Sequence, residues 1–386
     1  MRVKCFFAVV FLCILFSCDN TELVFTQGDI SIAQPEVFDI RANPNPWIRN
    51  NLELDRIVQI ETTEKYVMGD YFARVILYKD KLIILDKDTH TIFIINAYTG
   101  KVEAHINRKG RGPGESRFIV DIAFDDKNEQ ILAYNDYSKL VYFGLNGEFL
   151  KEERVNNELY DQVIYDNDNL IFSGHGFGTN IYPYSIDIYN LTSKTWKTIG
   201  TKQKVNFNYR FYTPVMVKSK NIWYAPVLDT GLHLLDSISI KVPYSLDVKN
   251  PLTKELLDRY KNDRSFFDKE VDERDILFLI QNIKETENFL VFTTNLGLMM
   301  MDKNTLEIQS TRWIEDEYLG IKLNHFKYIA HNGDDNRIMV IVDCEAWLNR
   351  KPTAQNTPEH LKAQIDAVKV DEKIESNPIL VFYKEK

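Results

Sequence analysis

Residues 89–101, THTIFIINAYTGK, and residues 137–149, YSKLVYFGLNGEF, carry the pattern that decides the fold. Each holds a short run of β-branched and aromatic residues that ends in a glycine turn and leads into another such run. Both occupy the third position in a unit of four predicted strands. The unit recurs with a period of about 45 residues, which is typical of a β-propeller, a closed ring of four-stranded blades.

Six such units lie between residue 53 and the C terminus. Polar connections rich in Asp, Asn and Gly separate the runs, as hairpins require. The best-defined strands are Phe72–Tyr78, Leu82–Asp86, Ile92–Asn96 and Val102–Asn107 in the first unit, and Ile119–Phe124, Gln130–Asn135, Leu140–Gly144 and Glu148–Val155 in the second. The later four units follow the same rhythm more weakly.

The sixth unit is incomplete, because only Phe326–Ala330 and Arg337–Val342 precede the next break. Two strands without partners remain at the chain ends, Asp55–Glu61 and Pro378–Tyr383. A strand edge left unpaired invites aggregation, and closing the ring removes it. We therefore predict an all-β fold, a six-bladed propeller closed by N- and C-terminal strands.

Two segments break the strand pattern and predict short helical insertions on a face or rim of the propeller. Residues Pro251–Asp275 have a proline near the start and apolar residues at helical spacing. In Thr357–Val370, Thr357 is the expected N-cap and Pro358 the expected first helical residue.

Residues 1–17 predict a lipoprotein signal peptide. Two basic residues, Arg2 and Lys4, precede the apolar run Phe6–Phe16, which is too short to span a bilayer in the usual way. The following Leu15-Phe16-Ser17-Cys18 resembles the bacterial lipobox, although Phe16 stands where a small residue is usual.

We expect cleavage before Cys18, whose thiol sulfur would take a diacylglycerol and hold the chain to a membrane through acyl chains such as palmitate. An ordinary secretory signal and an N-terminal anchor helix are the alternatives. Residues 18–52 are then the lipidated cysteine and a polar, proline-containing tether, and residues 53–386 form the propeller.

Composition excludes one class of partner. The chain of 386 residues has a formal net charge of −9, so it offers no basic face for nucleic acid. After processing, Cys344 is the sole free thiol, which leaves no intramolecular disulfide. Stability must therefore come from packing.

Residues 108–118, RKGRGPGESRF, resemble a motif of the six-bladed β-propeller lipoproteins of Gram-negative, gut-type bacteria, in which a GxGPGE turn, here at 110–115, follows the first blade. The stretches 82–102 and 375–384 resemble the first blade and the terminal strand of that family. The resemblance implies an envelope lipoprotein with a propeller and implies no catalytic residues. On its residues alone, the motif is an inter-blade linker in which Glu115 accepts bonds from turn amides, or a ligand contact.

Two further segments differ in length or composition from a simple connection between strands. The glycine-rich residues 174–182 form a long loop that includes His175 and Tyr182. Residues 206–212 place four aromatic side chains beside Arg210 and Asn208, a set suited to stacking and hydrogen bonding. The candidate ligand-binding residues are His175, Tyr182, Asn208, Tyr209, Arg210, Phe211 and Tyr212. A solvated loop and aromatics that face a strand core are the competing interpretations.

Catalytic signatures are weak. The sequence contains no HExxH and no Gly-x-Ser-x-Gly elbow, and Asp121 and Asn282 near inner strands do not complete a calcium ligand set. We therefore predict no catalytic residue, metal or cofactor. The favoured function is a binding or scaffold lipoprotein of the outer membrane or cell envelope, on its periplasmic or surface side, with a glycan, peptide or envelope protein as partner. The alternative is a propeller hydrolase or lyase with its active site in the central channel.

Overall fold

The computed structural model describes residues 51–386, apart from short segments within that range. These segments are residues 137, 156–159, 176–179, 182–184, 201–204, 207–213, 236–238, 247, 249, 251, 261–263, 312–313, 317–318, 324–335, 351–356 and 371–375. At some further positions within strands and helices, His175 among them, only the backbone is described.

Strands make up most of the chain and follow one another in short antiparallel meanders. They are β1 (Leu52–Gln59), β2 (Phe72–Tyr78), β3 (Lys81–Asp86), β4 (Thr91–Asn96), β5 (Val102–Ile106), β6 (Ile119–Asp125), β7 (Gln130–Asn135), β8 (Lys139–Gly144), β9 (Phe149–Arg154), β10 (Tyr160–Asp166), β11 (Asn169–His175), β12 (Asn180–Ile181), β13 (Ser185–Asn190), β14 (Thr195–Gly200), β15 (Val205–Asn206), β16 (Met216–Lys218), β17 (Ile222–Tyr224), β18 (Gly231–Leu235) and β19 (Ile240–Ser245).

Two helices, α1 (Lys254–Tyr260) and α2 (Arg264–Arg274), come next. The chain continues with β20 (Ile280–Glu285), β21 (Phe289–Thr294), β22 (Gly297–Asp302), β23 (Ile308–Thr311), β24 (Ile314–Asp316), β25 (Ile321–Leu323), β26 (Arg337–Val342), α3 (Cys344–Leu348), α4 (Glu359–Ala367) and β27 (Ile379–Glu385).

The strands form six blades, as the sequence repeat predicts. Five sheets have the orders β2-β3-β4-β5, β6-β7-β8-β9, β10-β11-β13-β14, β16-β17-β18-β19 and β20-β21-β22-β23, and the sixth has the order β1-β27-β26. We number the blades 1 to 6 in this order. In blades 1 to 5 the first strand is the inner one, which lines the channel, since these strands contact one another between blades.

The hydrophobic core lies between blades. One cluster of buried side chains occupies each junction of neighbouring blades: blades 6 and 1, 1 and 2, 2 and 3, 3 and 4, 4 and 5, and 5 and 6. At the junction of blades 6 and 1, Phe72 and Phe93 pack with Met339 and Phe382, all at most 3 % exposed. Because the first and last blades share a core like every other pair, the ring is closed.

The sixth blade is completed from both chain ends, which confirms the predicted closure. Strand β27 pairs with β26 on one side and with β1 on the other. The terminal amide of Lys386 donates to the Asn51 carbonyl at 3.1 Å, so the two ends of the domain lie side by side. The expected inner strand Phe326–Ala330 lies outside the described residues.

Short turns repeat the same hydrogen bonds from blade to blade. After β4, β13 and β22, the side chains of Asn96, Asn190 and Asp302 each accept bonds from the second and third following amides. This is the Asx turn that makes Asn and Asp frequent at such positions. In the first of these turns Gly100 has φ +72°, and a Cβ there would collide with the Gln59 carbonyl of blade 6.

The helices fall in the two expected insertions, with different boundaries. The first insertion contains two helices, α1 and α2, whereas the sequence pattern suggests one. In the second, α4 begins one residue later than expected, because Pro358 with ψ 143° is the N-cap and Thr357 precedes it. The short α3, capped by Asp343, was not predicted. None of the described helices is long and apolar enough to span a membrane.

Candidate functional site

The two ends of the blades differ in their connections. At one end, which we call the turn face, a blade's first strand connects to its second and its third to its fourth. The described connections there are short. They range in length from two residues, as in 79–80, to five residues, as in 97–101. At the other end, the channel face, the second strand connects to the third and one blade connects to the next.

All long connections lie on the channel face. The longest are residues 246–279, which contain α1 and α2, and residues 343–378, which contain α3 and α4. The connections from β11 to β13 and from β14 to β16 belong to the same face and meet there, because β12 pairs with β15. A closed propeller needs none of this extra chain, so the elaboration of one face points to a role beyond folding.

A buried ion pair crosses the channel between the inner strands. Arg74 of β2 bonds Asp121 of β6 through two nitrogens, Nε to Oδ1 at 3.1 Å and Nη2 to Oδ2 at 2.5 Å. Its third nitrogen donates to the Met216 carbonyl of β16 at 2.7 Å, and Asp121 Oδ2 also accepts the Val163 amide of β10. Inner strands of four blades are thereby linked, and the pair closes the channel at this level because both side chains are 3 % exposed.

The repeat explains where this pair comes from. Arg74, Asp121 and Gln162 each stand third in the inner strand of blades 1, 2 and 3. Gln162 also bridges blades, since its Oε1 accepts the Met216 amide at 3.0 Å. One repeat position therefore supplies polar side chains in three blades, and these side chains tie the inner strands together.

Two titratable side chains lie above the pair, toward the channel face. Lys87 lies in the connection from β3 to β4. Its ammonium group donates hydrogen bonds to the carbonyls of Ile119 and Val120 at the start of β6. Asp161 stands second in β10 and is solvent-exposed. Both residues therefore mark the mouth of the channel.

The surrounding protein moves the pKa of both groups toward neutrality. Burial lowers the pKa of Lys87 to about 8, against the opposing effect of Asp121 and Asp161. The protein around the channel raises the pKa of Asp161 to about 7, and Lys87 opposes that rise. Water reaches Asp161 from the mouth, but the channel walls replace part of the hydration shell that its charged form would have in bulk solvent. Shifts of this kind are common at functional sites and also occur in structural networks.

The GxGPGE turn at 110–115 is a compact linker between blades 1 and 2, as expected. Glu115 Oε2 accepts the Gly112 amide at 2.9 Å, which is the predicted role of this carboxylate. A Cβ at Gly110 would collide with the same carboxylate. Gly114 has φ +72°, and a Cβ there would lie 2.6 Å from the Phe149 ring. Gly114 is thus required by close packing and by its left-handed backbone, whereas a Cβ at Gly110 would require only the flexible end of Glu115 to move.

Six of the seven predicted ligand-binding residues lie in segments outside the described structure. Tyr182, Asn208, Tyr209, Arg210, Phe211 and Tyr212 lie outside the described residues, as does Cys18. His175 ends β11, and only its backbone is described. The pairing of Asn180 with Asn206 and of Ile181 with Val205 brings the two predicted segments, 174–182 and 206–212, together.

Sequence reasoning missed Lys87 and Asp161. Lys87 stands in the stretch Asp86-Lys87-Asp88, which has the composition of any exposed hairpin turn. Asp161 looks like the solvent side of an alternating strand. Only the radial arrangement of the blades turns these positions toward the channel. Among the described residues, no group of three or more His, Cys, Asp or Glu side chains could hold a metal ion.

Comparisons with known proteins agree with the propeller. A family model described as a domain of unknown function, DUF4934, matches residues 55–384. A solved structure from Bacteroides fragilis, named "putative exported protein", superposes with a TM-score of 0.70 at 17 % identity over 92 % of this chain and 99 % of its own. A DUF4221 family member from Bacteroides vulgatus has a TM-score of 0.53 at 10 % identity over 87 % of this chain and 98 % of its own. No curated protein sequence matches the chain.

Proposed function

This chain belongs to the family of domains of unknown function DUF4934, whose model spans nearly the whole propeller, and we propose that it is a cell-envelope lipoprotein that binds its ligand on the channel face. The observation that carries the binding role is the asymmetry of the two faces. Every long connection, the helices and the β12-β15 pair lie on the channel face, and the described turn-face connections are minimal. Rigid scaffolds commonly carry recognition on such loops.

The path of the chain supports an outward orientation of the channel face. Strand β1 starts beside Lys386, at the blade end that belongs to the turn face. About 33 residues separate Cys18 from that point, and a chain of this length reaches at most about 110 Å when fully extended. A lipid anchor at Cys18 would therefore attach behind the turn face and leave the channel face free for a partner.

Export and lipidation are supported by sequence and by likeness. The order of basic residues, apolar run and Leu15-Phe16-Ser17-Cys18 suits a lipoprotein signal. The Bacteroides fragilis protein with the same fold is named "putative exported protein". Three acyl chains on one cysteine would give stable anchoring, since two already exceed the marginal binding of one.

Anchoring is tested by growing cells with an alkyne analogue of palmitate and comparing the wild type with Cys18→Ser. We expect label and membrane fractionation in the wild type and neither in the variant. A mass spectrum that places the mature N terminus at another residue would overturn the anchor without touching the binding role.

The binding role is tested on arrays of neutral glycans, acidic glycans and peptides with purified residues 19–386. One variant combines Tyr209→Ala and Arg210→Ala from the predicted loop on the channel face, and its control combines Lys79→Ala and Lys127→Ala on the turn face. Loss of array binding in the first variant alone supports the proposal. Loss only in the control, or no binding of the wild type to any probe, contradicts it.

A second candidate function, catalysis in the channel, is favoured by one observation. Lys87 and Asp161 combine at the mouth with pKa values of about 8 and 7, which suits transfer of a proton near neutral pH. Asp121 is neutralised by Arg74 and is not available for this role. The test is turnover of any bound array glycan, followed by mass spectrometry in the wild type, Lys87→Met and Asp161→Asn. Turnover that both substitutions abolish would establish an enzyme, and intact glycan in all three samples would exclude this candidate for that ligand.

A further inference from the structure

A narrow cleft opens on the channel face between blades 1 and 2, beneath the loop of residues 108–117. Side chains from the β3-β4 turn, from the loop itself and from the end of β7 line it. The mouth is open to solvent, and the floor has room for about one water-sized group. We call it the blade 1–2 cleft.

The floor carries two polar atoms that lack partners. Asn135 is 1 % exposed, and its Oδ1 finds no hydrogen-bond donor in the described structure. His90 Nδ1 is likewise buried without a partner. A buried polar atom left unpaired destabilises the fold, so two of them in one cleft indicate a role other than folding.

The equivalent position in blade 1 shows that the fold does not require an unpaired polar atom at this point of the blade. Asn135 and Asp86 both end the second strand of their blade and face the first residue of the inner strand. Asp86 accepts four bonds, from the amides of Gly69, Asp88 and Thr89 and from the Thr89 hydroxyl. Asn135 Oδ1 accepts no such bond in the described structure, and the residue lines the cleft.

The rim of the cleft is basic. Arg108, Lys109 and Arg117 line it and are exposed. Among the described residues neither Arg108 nor Lys109 has an ion-pair partner, and Arg117 lies 3.6 Å from Asp136. Burial and then the charges of Lys109 and Lys87 lower the pKa of His90, which keeps this imidazole neutral. In a chain with net charge −9, three cations around one cleft are a local reversal of sign.

The loop that carries the rim is held by its own hydrogen bonds. The Ser116 amide donates to the Arg108 carbonyl at 3.0 Å, and the Gly110 amide donates to the Ser116 carbonyl at 3.1 Å. The Glu115 bond to the Gly112 amide closes the tip. A preformed loop loses little conformational freedom on binding.

From this geometry, we propose that the blade 1–2 cleft binds an acidic saccharide, with one sugar hydroxyl on the floor and the anionic group on the rim. Asn135 Oδ1 needs a donor, whereas Nδ1 of the neutral His90 can donate or accept. One hydroxyl therefore satisfies both atoms when it donates to Asn135 and accepts from His90. A peptide N–H is flanked by two Cα atoms and does not fit a floor of this size. The cations require a carboxylate, phosphate or sulfate on the same sugar. The inference rests on the proposed binding role and names the ligand class for one part of the channel face.

The test measures binding of defined probes to residues 19–386 by calorimetry at low and high salt. The probes are a galacturonic acid trimer, a sulfated and a phosphorylated hexose, a neutral galactose trimer, and inorganic phosphate and sulfate. We expect binding of at least one acidic sugar, at least about tenfold tighter than of the neutral trimer or the free ions, and weaker binding at high salt. The three acidic groups distinguish a carboxylate from a sulfate or phosphate ligand.

Three variants locate the site. His90→Asn removes the imidazole at φ +53°, a conformation that Asn adopts more readily, so the fold is retained. Asn135→Leu removes the unpaired acceptor at similar volume. A rim triple of Arg108→Gln, Lys109→Gln and Arg117→Gln is matched by Lys79→Gln, Lys101→Gln and Lys127→Gln on the turn face, which changes the net charge equally. We expect at least about a tenfold loss of affinity in the first three and none in the control.

Each contrary result overturns a defined part. If the rim triple and its control lose affinity equally, binding is non-specific charge attraction. If free phosphate or sulfate binds as tightly as the sugars, the cleft binds an anion and not a saccharide. If no acidic sugar binds while array ligands still bind in a Tyr209-dependent manner, the cleft inference fails and the proposed function stands. If nothing binds in either experiment, both fail.

Discussion

Arg74 links inner strands at the centre of the propeller. Its guanidinium group bonds Asp121 twice and reaches the Met216 carbonyl of the opposite blade, all within a buried site. A buried pair of this kind is weak evidence for net stability, because desolvation offsets much of the attraction. Removing one partner is strongly destabilising, since it leaves the other charge buried and unpaired.

We expect Arg74→Met to lower the free energy of unfolding by about 3–5 kcal/mol, because Asp121 then remains buried and charged, with the Val163 amide as its remaining donor among the described residues. The double variant with Asp121→Asn should lose less than the sum of the two single losses. Urea denaturation measures all three. Arg117→Gln, at an exposed pair 3.6 Å long, is the control, with an expected change below about 0.5 kcal/mol. A loss below about 1 kcal/mol for Arg74→Met would show that the channel is wet at this level.

Asp161 should make stability depend on pH in a specific window. Its pKa is raised from an ordinary 3.8 to about 7, so between these values the folded protein holds a proton that the unfolded chain has lost. Stability therefore falls as pH rises through this window. Asp161→Asn, neutral throughout, should match the wild type near pH 4 and exceed it at pH 7.5.

The measurement is denaturant unfolding at pH 4, 5.5 and 7.5. Glu129→Gln is the control, because Lys79 lowers the pKa of that exposed carboxyl below its ordinary 4.5. Its contribution is lost only as pH falls through the lowered value, so this variant should keep the wild-type slope between pH 5.5 and 7.5. An unchanged slope in Asp161→Asn would mean that the channel water fully solvates this carboxylate.

At the scale of elements, Gly114 tests why the GxGPGE turn needs its glycines. With φ +72° and the Phe149 ring 2.6 Å from a built Cβ, Gly114→Ala meets both strain and a clash. We expect a loss of about 2 kcal/mol, of which about 1–2 kcal/mol is backbone strain. Gly112→Ala, whose Cβ would meet only the flexible end of Glu115 at 3.1 Å, should lose less than half as much. Thermal unfolding measures the stability of the two variants. Equal losses of stability would show that backbone strain at Gly114 is not why this turn needs a glycine there.

How far the sequence predicts these elements depends on local regularity. In blade 1, β2 has the predicted bounds Phe72–Tyr78, since alternation and turn residues agree there. In blade 4 the inner strand is only Met216–Lys218, because Pro214, two residues before it, cannot donate to a ladder. The candidate site was less predictable: Lys87 and Asp161 acquire their role from strands that are distant in sequence.

At the scale of the whole molecule, β27 holds the ring closed. It lies between β26 and β1, and its residues 379–383 are at most 1 % exposed. They contribute to the core on both sides, toward blade 5 and toward blade 1. Loss of this strand would therefore unpair β1 and open two core clusters together, which is more severe than exposing one sheet edge.

We expect deletion of residues 376–386 to abolish cooperative unfolding, and a circular permutant to retain it. In the permutant a short Gly-Ser linker joins Lys386 to Asn51, whose backbones already share a hydrogen bond of 3.1 Å, and new ends are opened between Asp126 and Lys127 in an exposed turn. Every strand pair is kept, so the permutant should unfold in one transition with a free energy within about 1–2 kcal/mol of residues 51–386. Calorimetry and denaturant unfolding measure both proteins. A truncated chain that still melts in one sharp transition would show that blade 6 does not lock the ring. A permutant that fails to fold would show instead that the natural order of the strands, and not their pairing alone, is needed to close it.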